Sequence, residues 1–234
     1  MTRALVINGS PTLDKGDTAL VVRPFVEGMA EAGAQVDLHY ATRLKAKPCS
    51  CGRMACWNET PGECCIKDSM QSAYPMLRQA DILVLAAPVY IPLPGAMQDV
   101  INRLCPLLDP LQCTFSEGRT RARFRGDVAI RHIALICVSG WWEIGNCDTV
   151  LRIAEEFAAD AGLPLAGALL RPHAWVMRQQ GKLTLDGEAV LAAVRSAGHQ
   201  LVAEGAIAPA TLEAVSRPLI SQEDLWRGYT GTSA

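Results

Sequence analysis

The apolar run at residues 81–87 (DILVLAA) constrains the fold of this chain more than any other feature. Such a continuous run is typical of a central strand in a parallel sheet that is covered by helices on both faces. Further runs that are predicted to be strands lie at residues 3–8, 35–40, 130–138 and 165–170. Helical patterns separate them, so the sequence predicts an α/β protein, a three-layer sandwich around a five-stranded parallel sheet.

The sequence also predicts the helices that lie between these strands. Asp17 is predicted to cap a first helix that is kinked by Pro24 and ends near Gly33. Further helices are predicted at residues 70–79, 96–108, 148–161 and 188–204. The arginine-rich segment 109–127 is predicted to be irregular.

Composition and charge exclude two classes of partner. A net charge of -2 gives no sign of the strongly basic face that binding of nucleic acid needs. The most apolar stretch, residues 82–97, is broken by prolines and is too short to span a membrane. Because no secretion signal is visible either, we expect a cytoplasmic protein without a nucleic-acid or membrane partner.

Three loops follow predicted strands, where parallel sheets bind ligands. The first, residues 8–19 (NGSPTLDKGDTA), brings three hydroxyls to the positive end of a helix, which suits a phosphate. Its glycine and lysine spacing matches neither a P-loop nor GxGxxG. The alternative is a polar turn before a capped helix.

The other two loops offer flat or apolar surface for a planar ring. Residues 87–95 (APVYIPLPG) are stiffened by prolines, and the alternative for this loop is a rigid part of the core. Residues 138–146 (VSGWWEIGN) contain paired tryptophans, which could border a ring or anchor a subunit interface.

Cysteine is unusually frequent, with nine residues in the chain. Five of them lie close together: Cys49, Cys51, Cys56, Cys64 and Cys65. In a reducing compartment such a group indicates metal or redox chemistry rather than a disulfide framework. Close thiolates can hold a [4Fe–4S] cluster or zinc. The scattered cysteines are predicted to be small buried apolar residues: Cys105, Cys113, Cys137 and Cys147. The histidines form no evident site.

Three segments together resemble the NADPH-dependent FMN reductase and iron–sulfur flavoprotein superfamily: GSPTLDKGDTA, ADILVLAAPVYIPLPGAMQDVINRL and PCSCGRMACWNETPGECCIKDSM. The second segment usually ends in an Asp-Arg pair in that family and here ends in Asn102-Arg103. The resemblance is good over residues 3–105 and weak beyond. It implies a flavodoxin-like fold that binds FMN.

By position, the resemblance implies three groups of FMN-binding residues. The phosphate would be held by Ser10, Pro11, Thr12, Asp17, Thr18 and Ala19. The isoalloxazine ring would be lined by Pro88, Val89, Tyr90, Ile91, Pro92 and Leu93, with backbone N–H groups at its polar edge. Its other side would be closed by Ser139, Gly140, Trp141 and Trp142. Asp17 stands where the family usually has Asn, so helix capping is the alternative role for this carboxylate.

The resemblance also implies a [4Fe–4S] cluster on Cys49, Cys51, Cys56 and Cys64, with Cys65 as a substitute ligand. The spacing departs from the family's compact CxxCxxC…C pattern. Free thiols in an FMN-only reductase are therefore the second interpretation, and structural zinc is the third.

The predicted function is that of an FMN-dependent oxidoreductase that passes electrons from NAD(P)H, a transient donor, or from the cluster to a small-molecule or protein redox partner. The alternatives are an FMN-only NAD(P)H-dependent quinone or flavin reductase and a zinc-stabilised binding module without turnover. No side chain is nominated as a catalytic acid or base. The predicted domain is 1–205 with a cysteine-rich insertion at 45–70. The tail 206–234 is expected to pack on a partner subunit of a homodimer or homotetramer.

Overall fold

The computed structural model describes residues 1–116 and 118–230 of the chain. Its strands are β1 (Arg3–Asn8), β2 (Gln35–Tyr40), β3 (Ile82–Pro88), β4 (Leu108–Ser116), β5 (Arg119–Phe124), β6 (His132–Val138), β7 (Leu165–Arg171), β8 (Arg178–Gln179) and β9 (Lys182–Leu183). Its α-helices are α1 (Asp17–Glu31), α2 (Ala41–Leu44), α3 (Ala55–Asn58), α4 (Ala73–Gln79), α5 (Gly95–Asn102), α6 (Asp148–Asp160), α7 (Leu185–Ala203), α8 (Pro209–Ser216) and α9 (Gln222–Thr230).

The five predicted strands form one parallel sheet in the order β2-β1-β3-β6-β7, which confirms the predicted fold. The central strand β3 lies in register with β1 on one side and β6 on the other. Ile82 to Ala87 are all buried, as the apolar run predicts for a strand covered on both faces.

Helices cover both faces of this sheet. On one face, α1 and α7 pack on side chains such as Val6 and Val84. On the other face, α4, α5 and α6 pack on side chains such as Leu5 and Leu83. Successive residues of one strand therefore enter different cores, because side chains alternate across a sheet.

The crossing of α1 and α7 depends on two glycines. A Cβ atom at Gly28 would lie 1.9 Å from the carbonyl oxygen of Arg195, and one at Gly198 would lie 2.0 Å from that of Phe25. No real Cβ atom approaches backbone so closely, so the two helix backbones are in direct contact at these positions.

The segment 109–127 corrects the sequence analysis, because most of it is an antiparallel hairpin of β4 and β5 rather than irregular chain. Arg121 of this hairpin binds Glu156 and Asp160 of α6 at 2.5 and 3.0 Å. The ion pairs and the edge-on contact of Phe124 with Phe157 hold the hairpin on α6. Most of β4 is exposed, so the strand signal of alternating hydrophobicity is missing. Cys113 lies on it and is exposed, contrary to the prediction that it is buried.

Several helix boundaries differ from those predicted. α1 has Gly16, not Asp17, at its N-cap, and it continues through Pro24. α5 ends at Asn102, and a short 3₁₀-helix, Cys105–Leu107, replaces the rest of the predicted helix. None of the helices in the described ranges is long and apolar enough to cross a membrane.

The C-terminal segment packs on its own chain as far as residue 230; residues 231–234 of the predicted tail lie outside the described ranges. Arg171, at the end of β7, is fully buried and donates to the carbonyl oxygens of Val215 and Arg217 at 2.6 and 3.0 Å. His173 accepts a hydrogen bond from the backbone N–H of Leu219. Burial lowers the pKa of His173 to about 4, so this side chain is neutral at pH 7. These contacts direct α9 back towards the carboxyl edge of the sheet. Packing of the tail on a partner subunit stays a prediction.

Candidate functional site

The loop after β1 forms a compact polar turn at the carboxyl edge of the sheet. The buried Asn8 side chain accepts from the backbone N–H of Ser10 at 2.8 Å. The hydroxyls of Ser10 and Thr12 are 2.9 Å apart. A Cβ atom at Gly16 would lie 2.1 Å from Thr12 Oγ1, so a side chain there would displace the Thr12 hydroxyl. The predicted hydroxyl residues are thus brought together.

This turn leads directly into the N-terminus of α1. No side chain caps the helix, so the N–H groups of its first turn stay available to a ligand. Thr18 and Ala19, in that turn, are buried. Free N–H groups, a positive helix end and nearby hydroxyls suit a phosphate group.

Asp17 has a partner that the sequence did not reveal. Arg178, in β8, donates to its carboxylate at 3.0 Å across 161 residues of chain. The guanidinium offsets the negative charge of the Asp17 carboxylate at the start of α1.

The loop after β3 presents two exposed side chains, Tyr90 (53% exposed) and Ile91 (100% exposed). The Ile91–Pro92 peptide is cis, and Leu93 turns back into the core. Not every backbone N–H in this loop is free. The N–H of Val89 donates to Val138 and that of Tyr90 donates to Pro92, both at 2.8 Å. The polar edge of a bound ring would therefore have to accept hydrogen bonds from the remaining backbone N–H groups of this loop.

The two consecutive tryptophans in the loop after β6 have different surroundings. Ser139 is buried, and its hydroxyl accepts from the backbone N–H of Trp141 at 3.1 Å. Trp141 is half-exposed, next to α9. Trp142 instead stacks on His173 and donates from Nε1 to Ile220 at 3.0 Å. Of the pair, Trp141 is the more exposed.

The three loops are neighbours because β1, β3 and β6 are adjacent in the sheet. Backbone hydrogen bonds tie each to the next: Gly9 N–H donates to Ala86, and Val89 N–H donates to Val138. The convergence that the sequence predicted is therefore present in the fold.

The cysteine-rich segment is held beside α5 by a buried ion pair. Arg103 binds Asp68 through two hydrogen bonds of 2.7 and 3.1 Å, and it also donates to the carbonyl oxygen of Lys47 at 3.0 Å. The Arg103 hydrogen bonds lower the pKa of the Asp68 carboxyl group. One guanidinium thus fixes both ends of the segment that carries the thiols.

The thiols lie close together without surrounding a metal position. The Sγ atoms of Cys49 and Cys51 are 3.4 Å apart. Burial, followed by the nearby thiols of Cys105 and Cys51, raises the pKa of Cys56 to about 12. Across residues 1–116 and 118–230, no group of three or more Cys, His, Asp or Glu side chains is arranged to hold a metal ion. The arrangement does not fit a complete ligand set, and Cys105 belongs to this neighbourhood although the sequence analysis assigned it to the core.

A parallel sheet of this strand order, with three neighbouring loops at its carboxyl edge, defines a flavodoxin-like protein. Within that class, the sequence profile of the NADPH-dependent FMN reductase family matches residues 2–154. The chain belongs to this family. The description of this family specifies an NADPH-dependent reductase of which FMN is a defining component.

Individual relatives agree with this family. An iron–sulfur flavoprotein from Methanocaldococcus jannaschii is 28% identical over 128 residues, which are 55% of this chain and 61% of that protein. An NAD(P)H:quinone oxidoreductase from Methanothermobacter marburgensis has a TM-score of 0.57 at 15% identity, covering 86% of this chain and 96% of its own.

An FMN-dependent NADH-azoreductase from Bacillus anthracis, solved with FMN, has a TM-score of 0.54 at 13% identity, covering 88% of this chain and 97% of its own. At such identities the structural similarity establishes the fold alone. The match to the curated relative also spans less than two thirds of that protein's length.

Proposed function

We propose that this protein is an NAD(P)H-dependent FMN oxidoreductase that delivers electrons to a small-molecule acceptor. The observation that supports this most is that backbone hydrogen bonds join the loops after β1, β3 and β6 at the carboxyl edge of the sheet. The first of these loops leads into the N-terminus of α1, which no side chain caps. When bound, FMN would supply the redox chemistry, accepting a hydride from NAD(P)H.

The residues of the three loops would bind and orient the cofactor. The hydroxyls of Ser10, Thr12 and Thr18, with the N–H groups of the first turn of α1, would hold the phosphate. The loop 88–93 would flank one side of the ring, and Ser139 to Trp141 the other. Trp142 would act indirectly, through its hydrogen bond to Ile220.

No histidine would be needed as a proton donor. His39 and His132 lie in β2 and β6, and His199 lies in α7. His173 is buried, with its pKa lowered to about 4 by burial. The protons that accompany electron transfer would come from solvent at the open edge of the site.

A second candidate function adds a [4Fe–4S] cluster as electron relay, with Cys49, Cys51, Cys56 and Cys64 as ligands. It is favoured by the 3.4 Å approach of two thiols and by the iron–sulfur flavoprotein relative. It requires the segment to close further around a metal, since the described arrangement offers no ligand set. Structural zinc would need the same rearrangement.

The deciding experiment is an absorption spectrum of protein purified without oxygen, with flavin, iron, acid-labile sulfide and zinc assayed on the same sample. Flavin without metal, together with NADPH-driven reduction of ferricyanide, would support the first proposal. Flavin with about four irons per chain would support the second. A protein that carries no flavin and does not bind added FMN would overturn both.

Replacing Arg178 by alanine is expected to weaken FMN binding about tenfold, or about 1.4 kcal/mol. The change removes a cation and leaves the Asp17 carboxylate unpaired beside the phosphate. The effect is moderate because both side chains are about one-third exposed and partly screened by solvent. The dissociation constant can be measured by flavin fluorescence titration.

Two variants control this prediction. Asp17→Asn in the Arg178→Ala background is expected to recover most of the affinity, since it removes the unpaired charge. Arg195→Ala breaks a comparable surface pair with Glu31 at the far end of α1 and should leave the dissociation constant unchanged. An equal loss in Arg178→Ala with and without Asp17→Asn would contradict the proposed charge compensation.

A further inference from the structure

Two thiols of the cysteine-rich segment lie within hydrogen-bonding distance of each other. The Sγ atoms of Cys49 and Cys51 are 3.4 Å apart, and a single residue separates the two cysteines. Cys49 is exposed and Cys51 is half-buried, so small molecules in solution can reach both. Because an S–S bond is about 2.05 Å long, the two sulfur atoms need to approach by only about 1.4 Å to form one. These two residues are called the CxC pair below.

Other cysteines lack one of these two properties. Cys56 and Cys64 are buried, and burial is the largest cause that raises the pKa of Cys56 to about 12. Cys65 and Cys113 are exposed, but in the described part of the chain neither has a thiol hydrogen-bonded to it. The CxC pair combines access from solution with a partner thiol close by.

The backbone before the CxC pair is held in place. Lys47 lies two residues before Cys49, and its N–H donates to the Asp68 carboxylate at 2.8 Å. Its carbonyl oxygen accepts from Arg103 at 3.0 Å. Because Asp68 and Arg103 form the buried ion pair described above, the chain that enters Cys49 is firmly anchored.

The backbone after the CxC pair is open and strained. Gly52 follows Cys51, and nothing lies within 4 Å of a Cβ atom at this position. Arg53 and Met54 both have a left-handed backbone, with φ of 60° and 51°. This conformation is unfavourable for residues that carry a side chain, and such strain is common at switch regions. The open, strained turn permits the small movement of Cys51 that a bond to Cys49 requires.

We infer that Cys49 and Cys51 form a reversible disulfide by exchange with a low-molecular-weight disulfide. The Cys49 thiolate attacks one sulfur of that molecule, whose S–S bond breaks, so that one half leaves as a thiol and the other half stays bound as a mixed disulfide. Cys51 then displaces the bound half as a second thiol. The protein loses two electrons and two protons, and the small disulfide gains them. An excess of small thiol reverses both steps.

The two steps are expected to differ in rate. Partial burial raises the pKa of Cys49, so little thiolate is present at pH 7 and attack on the external disulfide is slow. The second step is intramolecular, between sulfur atoms that already lie 3.4 Å apart, so it is fast. The mixed disulfide therefore does not accumulate while Cys51 is present.

This inference is an alternative to the second candidate function. A [4Fe–4S] cluster needs four cysteine ligands as thiolates, and the described residues offer no group of even three potential ligands. Once the CxC pair is oxidised, its sulfur atoms are no longer thiolates and cannot bind a metal. The inference does not depend on the proposed NAD(P)H-dependent activity.

The test incubates the reduced, full-length protein with oxidised glutathione at mildly alkaline pH. Because trypsin does not cleave between Lys47 and Pro48, it releases both cysteines in one peptide, residues 46–53, which contains no other cysteine. In wild type, we expect mass spectrometry to show this peptide two hydrogen atoms lighter and resistant to N-ethylmaleimide until a reductant is added. In Cys51→Ser, Cys49 should instead retain glutathione, about tenfold more than in wild type.

Cys113→Ser is the matched control, since it removes an exposed cysteine from the β4–β5 hairpin and should leave the oxidation of peptide 46–53 unchanged. Wild-type peptide that still reacts with N-ethylmaleimide at both thiols, or that retains glutathione, would overturn the inference. So would about four irons per chain in protein purified without oxygen. NADPH-driven reduction of ferricyanide is measured on the same samples, and its absence would count against the proposed function alone.

Discussion

Replacing Arg103 by methionine is expected to destabilise the protein by about 3–5 kcal/mol. The Arg103 side chain is fully buried and that of Asp68 is 4% exposed, so the change leaves a buried carboxylate without its cation. It also removes the donor to the Lys47 carbonyl oxygen, which holds the start of the cysteine-rich segment. Urea unfolding at pH 7 measures the change in the free energy of unfolding.

Arg131→Met is the matched control for this experiment. Arg131 also pairs with an aspartate, Asp81, but its side chain is 71% exposed, so we expect a loss below about 1 kcal/mol. A second readout is the rate at which a thiol reagent labels the buried Cys56 and Cys64, which should rise in Arg103→Met alone. A small stability loss with unchanged labelling would show that the pair does not hold the segment.

The stability difference between wild type and Arg103→Met is expected to depend on pH. Hydrogen bonding to Arg103 lowers the pKa of Asp68 in the folded protein, so the pair stabilises the fold above the ordinary aspartate pKa of 3.8. This contribution is lost as the pH falls through the lowered value, because the carboxyl group is then neutral. The gap between the two unfolding free energies should narrow below about pH 4. If the difference between the two unfolding free energies did not change with pH, the charge of Asp68 would not be its cause.

Gly198→Ala is expected to destabilise the protein by about 2–3 kcal/mol. The new methyl group would meet the carbonyl oxygen of Phe25 at 2.0 Å, so α7 would have to move away from α1. Helix propensity alone favours alanine over glycine by about 1 kcal/mol, so the sign of the result separates the two effects. Thermal or urea unfolding followed by circular dichroism gives this sign.

Gly95→Ala is the control variant, because Gly95 is a helical glycine with free space around its Cβ position. Nothing lies within 4 Å of a Cβ atom at Gly95, the first residue of α5, so its stability should be unchanged or slightly higher. If Gly198→Ala also left the stability unchanged or raised it, the inferred close contact between the backbones of α1 and α7 would be contradicted.

The sequence by itself determined the sheet and the position of the candidate site. The apolar run 82–87 had to be covered on both faces, and the helical segments on either side could supply that cover. Once the strands are parallel, the loops that follow β1, β3 and β6 share one edge. Both conclusions depend on local patterns of burial and turn residues, which can be read along the chain.

Only the tertiary structure decided which distant residues meet. Arg178 compensates Asp17 across 161 residues, and α9 brings Trp226 and Tyr229 to Trp141. Neither contact leaves a periodic signal, because each depends on where separate elements pack. The hairpin of β4 and β5 escaped prediction for a related reason. Arg121, a charged residue, occupies a buried position of the hairpin, where an apolar residue would normally reveal a strand. Its ion pairs with α6 become visible only when the two elements are placed together.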